Sequence, residues 1–482
     1  MPHLPRPRAR LPRRAVIGGA AAVAATGGVL AACTTSAVPP AATAAPTPQQ
    51  TGIELVFQAN NQGVPWNKTT LALYQQFVDQ NFTATHTGLR ATVYPGGWGN
   101  PQAQIVASIA GSGYADVVHG CCDDIATLEA GGWLLPLDDY LRRDNIDKSI
   151  WSKGHVETLA LGGKQMALPS YDGPAVMCYR QDLLDQLGLQ YPDASWTAES
   201  ALQLWQQCTG KQKNGRPRYG TSLFGLDAGS WQLWLRGWGG QVMNGAHDAC
   251  VADSTAGRAA LNYAVELKKA KINGTGGQVA DLASGQAVFA MCGGWQVFQE
   301  ATELGNKVKW DILPVPLWPA GRSTFGNIDF YGLNRATKHT DEAWQLMRWL
   351  TAEADWQRFQ MRTTLVEPCL LQLWDEWETI VKSVAPPLQG KALHWYQDAA
   401  VKGYGWPTVH FAHAALQANT IVGNWLNKMT AGTVTVEEGL AQLSGQVNAL
   451  EQAAALTEQA AVGSARQFPV TGSSIAVVTP GL

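Results

Sequence analysis

The sequence predicts an α/β fold, in which short apolar strands alternate with helices. Residues 53–57 (IELVF) and the alternating apolar positions of residues 89–93 (LRATV) predict two strands, and residues 70–82 between them predict a helix. Val117 and Val118 predict a third, buried strand, and a helix is expected to begin at Asp123. Because strands and helices follow one another in this order, we expect a sheet with parallel strands.

Helix-start signals extend this prediction along the chain. Asn100 followed by a proline is a typical start of a helix, here expected to run to residue 110. Thr340 marks the start of a second such helix, with Asp341 and Glu342 at its positive end. From about Leu370 onward the chain is expected to be mainly helical.

The first 51 residues differ in composition from the rest of the chain. Five arginines and no acidic residue precede an apolar run over residues 15–32 (AVIGGAAAVAATGGVLAA), which is the pattern of an export signal. Arg13-Arg14 resembles a twin-arginine signal in part. Residues 30–33 (LAAC) resemble a bacterial lipobox, in which Cys33 becomes the lipidated first residue. A plain secretory signal with an incidental cysteine is the alternative.

We therefore expect a signal peptide over residues 1–32 and a flexible tether over residues 33–51, which are rich in Pro, Ala and Thr. Loss of the five arginines takes the formal net charge from −3 to about −8. With 46% hydrophobic residues and no long basic run, the sequence excludes a disordered chain and gives no reason to expect a nucleic-acid partner. The chain contains twenty tryptophans, more than is usual for a protein of this length, and this excess needs an explanation.

Eight cysteines are present, and seven remain after Cys33. They show no CxxC or Cys/His metal spacing, so we expect neither a metal site nor a cofactor. An exported protein can form disulfides, and an odd number leaves at least one thiol unpaired if all pairing is internal. We expect mostly structural, partly buried thiols, with one bridge among them.

A series of short motifs then supports a family assignment. These are residues 107–118 (ASIAGSGYADVV), 131–140 (GGWLLPLDDY), 163–169 (GKQMALP), 179–184 (YRQDLL), 195–199 (SWTAE), 284–295 (SGQAVFAMCGGW) and 338–344 (KHTDEAW). In this order they resemble the extracellular solute-binding proteins of ABC importers, in the sugar-binding class that includes maltose-binding protein.

The resemblance implies a two-lobed periplasmic-binding-protein-like fold with a hinge and a ligand cleft between the lobes. It implies a lobe one of residues 52–169 plus 326–372, a lobe two of residues 173–322 plus 376–470, and a tail of residues 471–482. It also implies a carbohydrate ligand, ABC permease subunits as partners, a monomeric state and an extracytoplasmic location on the bacterial cell membrane through the lipid anchor.

Candidate ligand residues follow from the chemistry of sugars together with this resemblance. Aromatic rings stack on the apolar faces of a sugar, and carboxylates and amides bind its hydroxyls. The candidates are Asn61, Trp66, Trp98, Asp123, Tyr171, Asp172, Trp231, Trp295, Asn327, Asp329, Tyr331 and Trp406. In relatives a Trp at the place of Trp295 stacks on the ligand. For Asn61 and Trp66 the alternative is a helix-capping loop with a packed Trp. For Trp98 it is packing on the helix that starts at Asn100, and for Asp123 it is capping a helix.

Enzyme motifs are missing from the sequence, which contains no G-x-S-x-G elbow, H-E-x-x-H or P-loop. We therefore expect a binding protein with no catalytic residues. Two alternatives stay open. One is a secreted carbohydrate-active hydrolase, which needs only two carboxylates far apart in the sequence. The other keeps the binding fold but takes an amino-acid-, polyamine- or phosphodiester-like solute.

Overall fold

The computed structural model of the chain describes residues 52–61, 64–96, 115–121, 124–225, 230–274 and 276–467, with side chains through residue 457. The expected signal peptide, tether and tail lie outside these residues. So do Cys33, Trp98, Asp123 and the helix expected over residues 100–110.

The described strands are short except for two. They are β1 (Ile53–Ala59), β2 (Leu89–Pro95), β3 (Val117–Cys121), β4 (Ala160–Leu161), β5 (Lys164–Gln165), β6 (Leu168–Arg180), β7 (Gly210–Lys211), β8 (Pro217–Ser222), β9 (Ala287–Gly293), β10 (Trp310–Leu313), β11 (Thr324–Leu333) and β12 (Gly405–Trp406).

The described helices dominate the last third of the chain, as expected. They are α1 (Lys68–Val78), α2 (Asp124–Ala130), α3 (Asp138–Arg143), α4 (Lys153–Thr158), α5 (Gln181–Leu187), α6 (Ala198–Cys208), α7 (Trp231–Gly237), α8 (Thr255–Lys269), α9 (Gln278–Ala283), α10 (Val297–Gln299), α11 (Thr340–Ala352), α12 (Ala354–Thr363), α13 (Trp374–Val384), α14 (His394–Val401), α15 (Ala415–Ala431) and α16 (Val436–Gln467). Short 3₁₀ turns are Lys148–Ile150, Gly294–Gln296, Leu371–Leu373 and Pro386–Leu388, and π turns are Asp79–Thr83 and Glu300–Leu304.

One mixed sheet of ten strands contains most of the strands. Its order is β2-β1-β3-β11-β6-β9-β8-β7, with β10 paired to β6 and β12 paired to β11. The α/β prediction is confirmed, and β1 is parallel to both β2 and β3 as expected. The two long strands β11 and β6 run antiparallel to each other and to the strands beside them in the sheet order. They therefore join the part of the sheet built on β1–β3 to the part built on β8 and β9.

Local sequence explains where the helices begin. Asn67 accepts hydrogen bonds from the backbone amides of Thr69 and Thr70, so α1 starts two residues before the predicted position. The helix expected from Thr340 is confirmed, with Asp341 and Glu342 in its first turn. These carboxylates lie at the positive end of the helix dipole.

Buried tryptophans fill the cores on both sides of the long strands, which accounts for much of their excess. Among the residues that the structure describes, ten tryptophans are fully buried: Trp151, Trp205, Trp231, Trp234, Trp310, Trp344, Trp349, Trp356, Trp374 and Trp377. One apolar cluster packs around β1–β3 and α11–α13, and another packs around β8, β9, α6, α8 and α15. Alternate residues of β6 enter the two clusters, since Val176 lies in the first and Met177 in the second.

The described cysteines are all thiols. Cys121 is half-buried, and Cys178, Cys208, Cys250, Cys292 and Cys369 are buried. No disulfide joins any of these six residues, and Cys122 lies outside the described part of the chain. Among the described helices, none combines the length and apolar character needed to cross a bilayer.

Candidate functional site

One face of β11 carries alternating aromatic and polar residues. Phe325, Asn327 and Asp329 lie on the same face because side chains alternate along a strand, and the irregular pairing with β6 begins only after Asp329. Phe325 and Asn327 are half-buried, whereas Asp329 is buried. We call this the aromatic–polar face and include in it the side chains that contact these three residues.

Three aromatic rings meet at one end of this face. The ring centroid of Trp295 lies 5.8 Å from that of Phe224 and 6.0 Å from that of Phe325, and Phe224 lies 5.3 Å from Phe325. Phe224 follows β8, and Trp295 follows β9, so two parallel strand ends deliver them. All three rings are half-buried and keep some surface exposed.

Gly293 is the reason why the Trp295 ring can lie where it does. A Cβ atom at Gly293 would come within 2.1 Å of that ring, so any side chain would displace it. The glycine before the 3₁₀ turn therefore sets the direction of the indole.

Polar side chains occupy the other end of the same face. The Asn327 amide donates a hydrogen bond of 2.7 Å to the Tyr171 hydroxyl. Asp329 accepts a hydrogen bond from the Asn60 amide, and its carboxylate lies 3.2 Å from the His119 Nε2 atom. Asn60 directly follows β1, and His119 lies in the middle of β3. Of the predicted residues, the face thus brings together Tyr171, Asn327, Asp329 and Trp295.

Asn61 lies next to this group without joining its hydrogen bonds. It is buried, and its amide donates to the backbone carbonyl of Val64. Trp66 packs edge-on against Tyr74, with centroids 4.9 Å apart, and donates to the Gly96 carbonyl at 2.6 Å. The structure therefore places Trp66 in the packed position given above as its alternative.

Asp172 lies on the opposite face of the same two strands. Its Cα pairs with that of Ile328, so its side chain points away from the aromatic–polar face. Its Oδ1 atom lies 3.4 Å from the His155 Nε2 atom of α4, and both residues are buried. Burial raises the pKa of Asp172 well above its usual value and lowers the pKa of His155 to about 3.

Glu367 is a third buried ionisable residue near Asp172. Neither of its carboxylate oxygens accepts a hydrogen bond from another side chain, and both lie against Gly294, where a Cβ atom would come within 2.3 Å. Burial, together with the negative charges of Glu300 and Asp172, raises the pKa of Glu367 well above its usual value. We call Asp172, His155 and Glu367 the acid cluster.

Three more predicted residues are not part of the hydrogen bonds and ring pairs described above, although two of them adjoin the aromatic–polar face: the Tyr331 ring centroid lies 5.5 Å from that of His119, and Trp406 neighbours Phe325 in the sheet. Trp231 is 1% exposed and belongs to the core around β8 and β9, and Tyr331 is 1% exposed in the core around β1–β3. Trp406 pairs with Phe325 through β12, is half-buried and lines a cavity of about 480 Å³. The Arg236 guanidinium lies 4.1 Å from the Trp406 ring centroid, and burial lowers the Arg236 pKa to about 10.

Four residues of the face were not among the predicted ones: Asn60, His119, Phe224 and Phe325. The alternating sequence Phe325-Gly-Asn327-Ile-Asp329 carried a signal, because period-two alternation marks the residues of one strand face. The sequence around Phe224 carried no such signal, since the position of this residue depends on the parallel pairing of β8 with β9.

Comparison with known proteins identifies the family. The family model described as "Bacterial extracellular solute-binding protein" matches residues 66–355, which is more than half of the chain. The chain belongs to this family. An uncharacterised lipoprotein encoded in the oleD 5′ region of Streptomyces antibioticus is 24% identical over 275 residues, covering 54% of this chain and 59% of that protein. The match thus spans less than two thirds of that relative.

Solved structures of sugar-binding family proteins share the two-lobed α/β fold. The cyclic α-maltosyl-1,6-maltose binding protein of Arthrobacter globiformis is 18% identical, with a TM-score of 0.65 over 83% of this chain and 99% of that one. An ABC substrate-binding protein of Listeria monocytogenes in complex with cycloalternan is 17% identical, with a TM-score of 0.64 over 82% of this chain and 98% of that one. A Thermotoga lettingae solute-binding protein bound to α-D-tagatose is 15% identical, with a TM-score of 0.65 over 83% of this chain and 99% of that one.

Proposed function

We propose that this solute-binding protein captures a mono- or oligosaccharide at the aromatic–polar face and delivers it to an ABC permease by hinge closure. The observation that carries the proposal is the meeting of Trp295, Phe224 and Phe325 with Asn327 and Tyr171 along one face of β11. Half-buried rings offer stacking surfaces for C–H faces, and the neighbouring amide, hydroxyl and carboxylate offer partners for hydroxyl groups.

Hinge closure follows from which elements supply the two ends of the face. Phe224 and Trp295 come from the ends of β8 and β9, whereas Asn60 and His119 come from the β1–β3 side. A sugar that touches both sets stabilises the arrangement in which they are close, so binding favours the closed form. The closed form would then dock on the permease. The names of the sugar-binding structural neighbours agree with this role.

The proposal also includes a lipid anchor at Cys33 and no catalytic activity. The lipobox-like residues 30–33 and the lipoprotein name of the Streptomyces relative support the anchor. Labelled fatty acid should enter the chain in the native host and should be lost in Cys33→Ala. A secreted, unlabelled wild-type protein would contradict the anchor without touching the sugar site.

A ligand screen tests the sugar site directly. The purified mature protein is heated with maltotriose, a cyclic tetrasaccharide, tagatose, an amino-acid mixture and a polyamine, and the unfolding midpoint is measured. We expect a sugar to raise the midpoint, since a ligand that binds the folded state stabilises it. Chromatography of the same mixtures should show no new product. Released sugar would indicate a hydrolase, and a shift with charged solutes alone would exclude sugar as the ligand.

A further inference from the structure

Two thiols and a carboxyl group meet where β6, β9 and a π turn come together. Cys178 of β6, Cys292 of β9 and Glu300 of the π turn each place one donor atom within 4.8 Å of the other two. All three side chains are buried. Among the residues that the structure describes, no other three His, Cys, Asp or Glu side chains meet so closely.

Strand pairing brings the two thiols together. Cys292 pairs with Val176, which lies two residues before Cys178 on β6, so both cysteines lie on the same face of neighbouring strands. Glu300 reaches them from the first position of a π turn, a rare helical distortion that is frequent at functional sites. Three separate elements therefore supply the group, which explains why no cysteine spacing in the sequence indicated it.

The hydrogen bonding of Glu300 indicates independently that this group of side chains binds a cation. Its Oε1 atom accepts hydrogen bonds from the Tyr396 hydroxyl at 2.6 Å and from the Cys178 thiol at 3.3 Å. Its Oε2 atom is fully buried and has no hydrogen-bond partner. A buried carboxyl oxygen without a partner is costly, and a cation at this point would remove that cost.

We propose that Cys178, Cys292 and Glu300 form a binding site for a thiophilic divalent cation, with zinc as the biological candidate. Zinc takes thiolate and carboxylate ligands at about 2.3 Å and about 2.0–2.2 Å, so a tetrahedral ion holds its donors about 3.5–3.8 Å apart. Donors already within 4.8 Å reach that spacing by shifts of about 1 Å. Glu300 can turn its Oε2 atom toward the ion without losing a protein hydrogen bond, because that oxygen has no partner.

The charges of the site can be balanced. Binding of Zn²⁺ to two thiols and one carboxylic acid releases three protons and leaves one net negative charge. Lys391 lies close enough to Cys178 to interact with it electrostatically, and its ammonium group lies 4.7 Å from the Trp310 ring centroid. This lysine supplies the compensating positive charge. The Tyr396 hydroxyl orients Glu300, as groups that hydrogen-bond to metal ligands commonly do.

Cadmium is the probe for the test, because its thiolate bonds give an ultraviolet charge-transfer band. The full mature chain, reduced and freed of metal, is titrated with Cd²⁺ both as native protein and during refolding, since the site is buried. We expect one equivalent per chain and a higher unfolding midpoint. Zinc should compete, and zinc should remain with the refolded protein after dialysis.

Matched variants separate this site from other thiols. Cys292→Ser and Glu300→Gln should each lower the cadmium affinity by at least about 10-fold, because removal of a group that only orients a ligand already has an effect of that size. The second variant keeps both thiols in case the first does not fold. Cys208→Ser and Cys250→Ser remove thiols buried in the other core and should leave the affinity unchanged. Sugar affinity, measured in parallel, tests the proposed function separately.

Three results would overturn the proposal. The first is the absence of a one-to-one band in both the native and the refolded protein. The second is a band that survives in both Cys292→Ser and Glu300→Gln. The third is a Cys178–Cys292 disulfide, found by mass spectrometry in protein isolated without reductant, because it would consume both thiolate ligands.

Discussion

The two faces of the β6–β11 strand pair use similar residues in opposite ways. On the aromatic–polar face, Asn327 and Tyr171 are joined by a hydrogen bond of 2.7 Å, and Asn327 is half-buried. In the acid cluster, Asp172 and Glu367 are buried and each has at least one carboxyl oxygen without a hydrogen-bond partner. The first arrangement can exchange protein partners for ligand hydroxyls. In the second, burial shifts the pKa values of Asp172, Glu367 and His155 in the directions that favour their neutral forms.

The difference shows that polar residues at neighbouring positions of one strand do not all belong to one site. Tyr171 and Asp172 are neighbours in sequence and both were predicted to bind ligand, yet alternation along β6 sends their side chains to opposite faces. Changes in the acid cluster should therefore alter stability, and changes in the aromatic–polar face should alter ligand affinity. The predictions below test this separation.

The largest effect is expected from the titration of Asp172 and His155. The pKa of His155 is about 3 in the folded protein and about 6.5 when unfolded, so its contribution to stability is present above pH 6.5 and is lost as pH falls. The pKa of Asp172 is raised, so its contribution is present at low pH and is lost as pH rises.

Urea unfolding of the wild type, His155→Gln and Asp172→Asn between pH 6.5 and 4 measures both contributions. As pH falls, the wild-type stability relative to His155→Gln should decrease by about 1.4 kcal/mol for each pH unit, because the folded-state pKa of His155 is about 3. The wild-type stability relative to Asp172→Asn should increase over the same range, because the pKa of Asp172 is raised by burial. His394→Gln, at an exposed site, is the control. Parallel pH profiles for all four proteins would show that the two residues are not buried as described.

Gly294→Ala should lower the free energy of unfolding by about 2–3 kcal/mol. The added methyl group would come within 2.3 Å of the Glu367 carboxylate oxygens, and buried overpacking carries costs of this size. Gly423→Ala is the matched control, because nothing lies within 4 Å of its new Cβ atom. Since Gly423 lies inside α15, the control should gain about 0.5–1 kcal/mol. Equal effects of the two substitutions in denaturant unfolding would contradict the close contact.

Trp295→Ala should weaken binding of a sugar found in the ligand screen by about 1–3 kcal/mol, the usual cost of removing a buried aromatic contact. Isothermal titration calorimetry measures the loss. The control is Trp425→Ala, whose half-buried ring packs under Lys428 on α15. A folded Trp295→Ala protein with wild-type affinity would remove this ring from the site.

Tyr171→Phe should have the smallest effect, a loss of about 0.5–1.5 kcal/mol in sugar affinity, because it deletes one hydroxyl that receives a hydrogen bond from Asn327. Tyr263→Phe deletes a hydroxyl that bonds to the Ala198 carbonyl and should leave the affinity unchanged. If calorimetry gives the same affinity for both variants, the polar end of the face does not contact the ligand.

Much of the fold could be predicted from local pattern. The strand over residues 89–93 and the start of α11 at Thr340 are both predicted correctly, because each depends on neighbouring residues alone. The antiparallel crossing of β6 and β11 could not be read from local pattern, since it pairs segments about 150 residues apart. The same limit applies to the site. Trp295 follows a local glycine motif, whereas Phe224 joins it through strand pairing, and no pattern reveals that Trp231 is fully covered.

The central place of β6 and β11 in the mixed sheet has a consequence for how the protein unfolds. Because both strands contribute side chains to the cores on the two sides, neither core can lose its packing without exposing strands that the other core needs. Heat or denaturant should therefore melt the described part of the chain in a single cooperative transition, with probes on the two sides reporting the same midpoint.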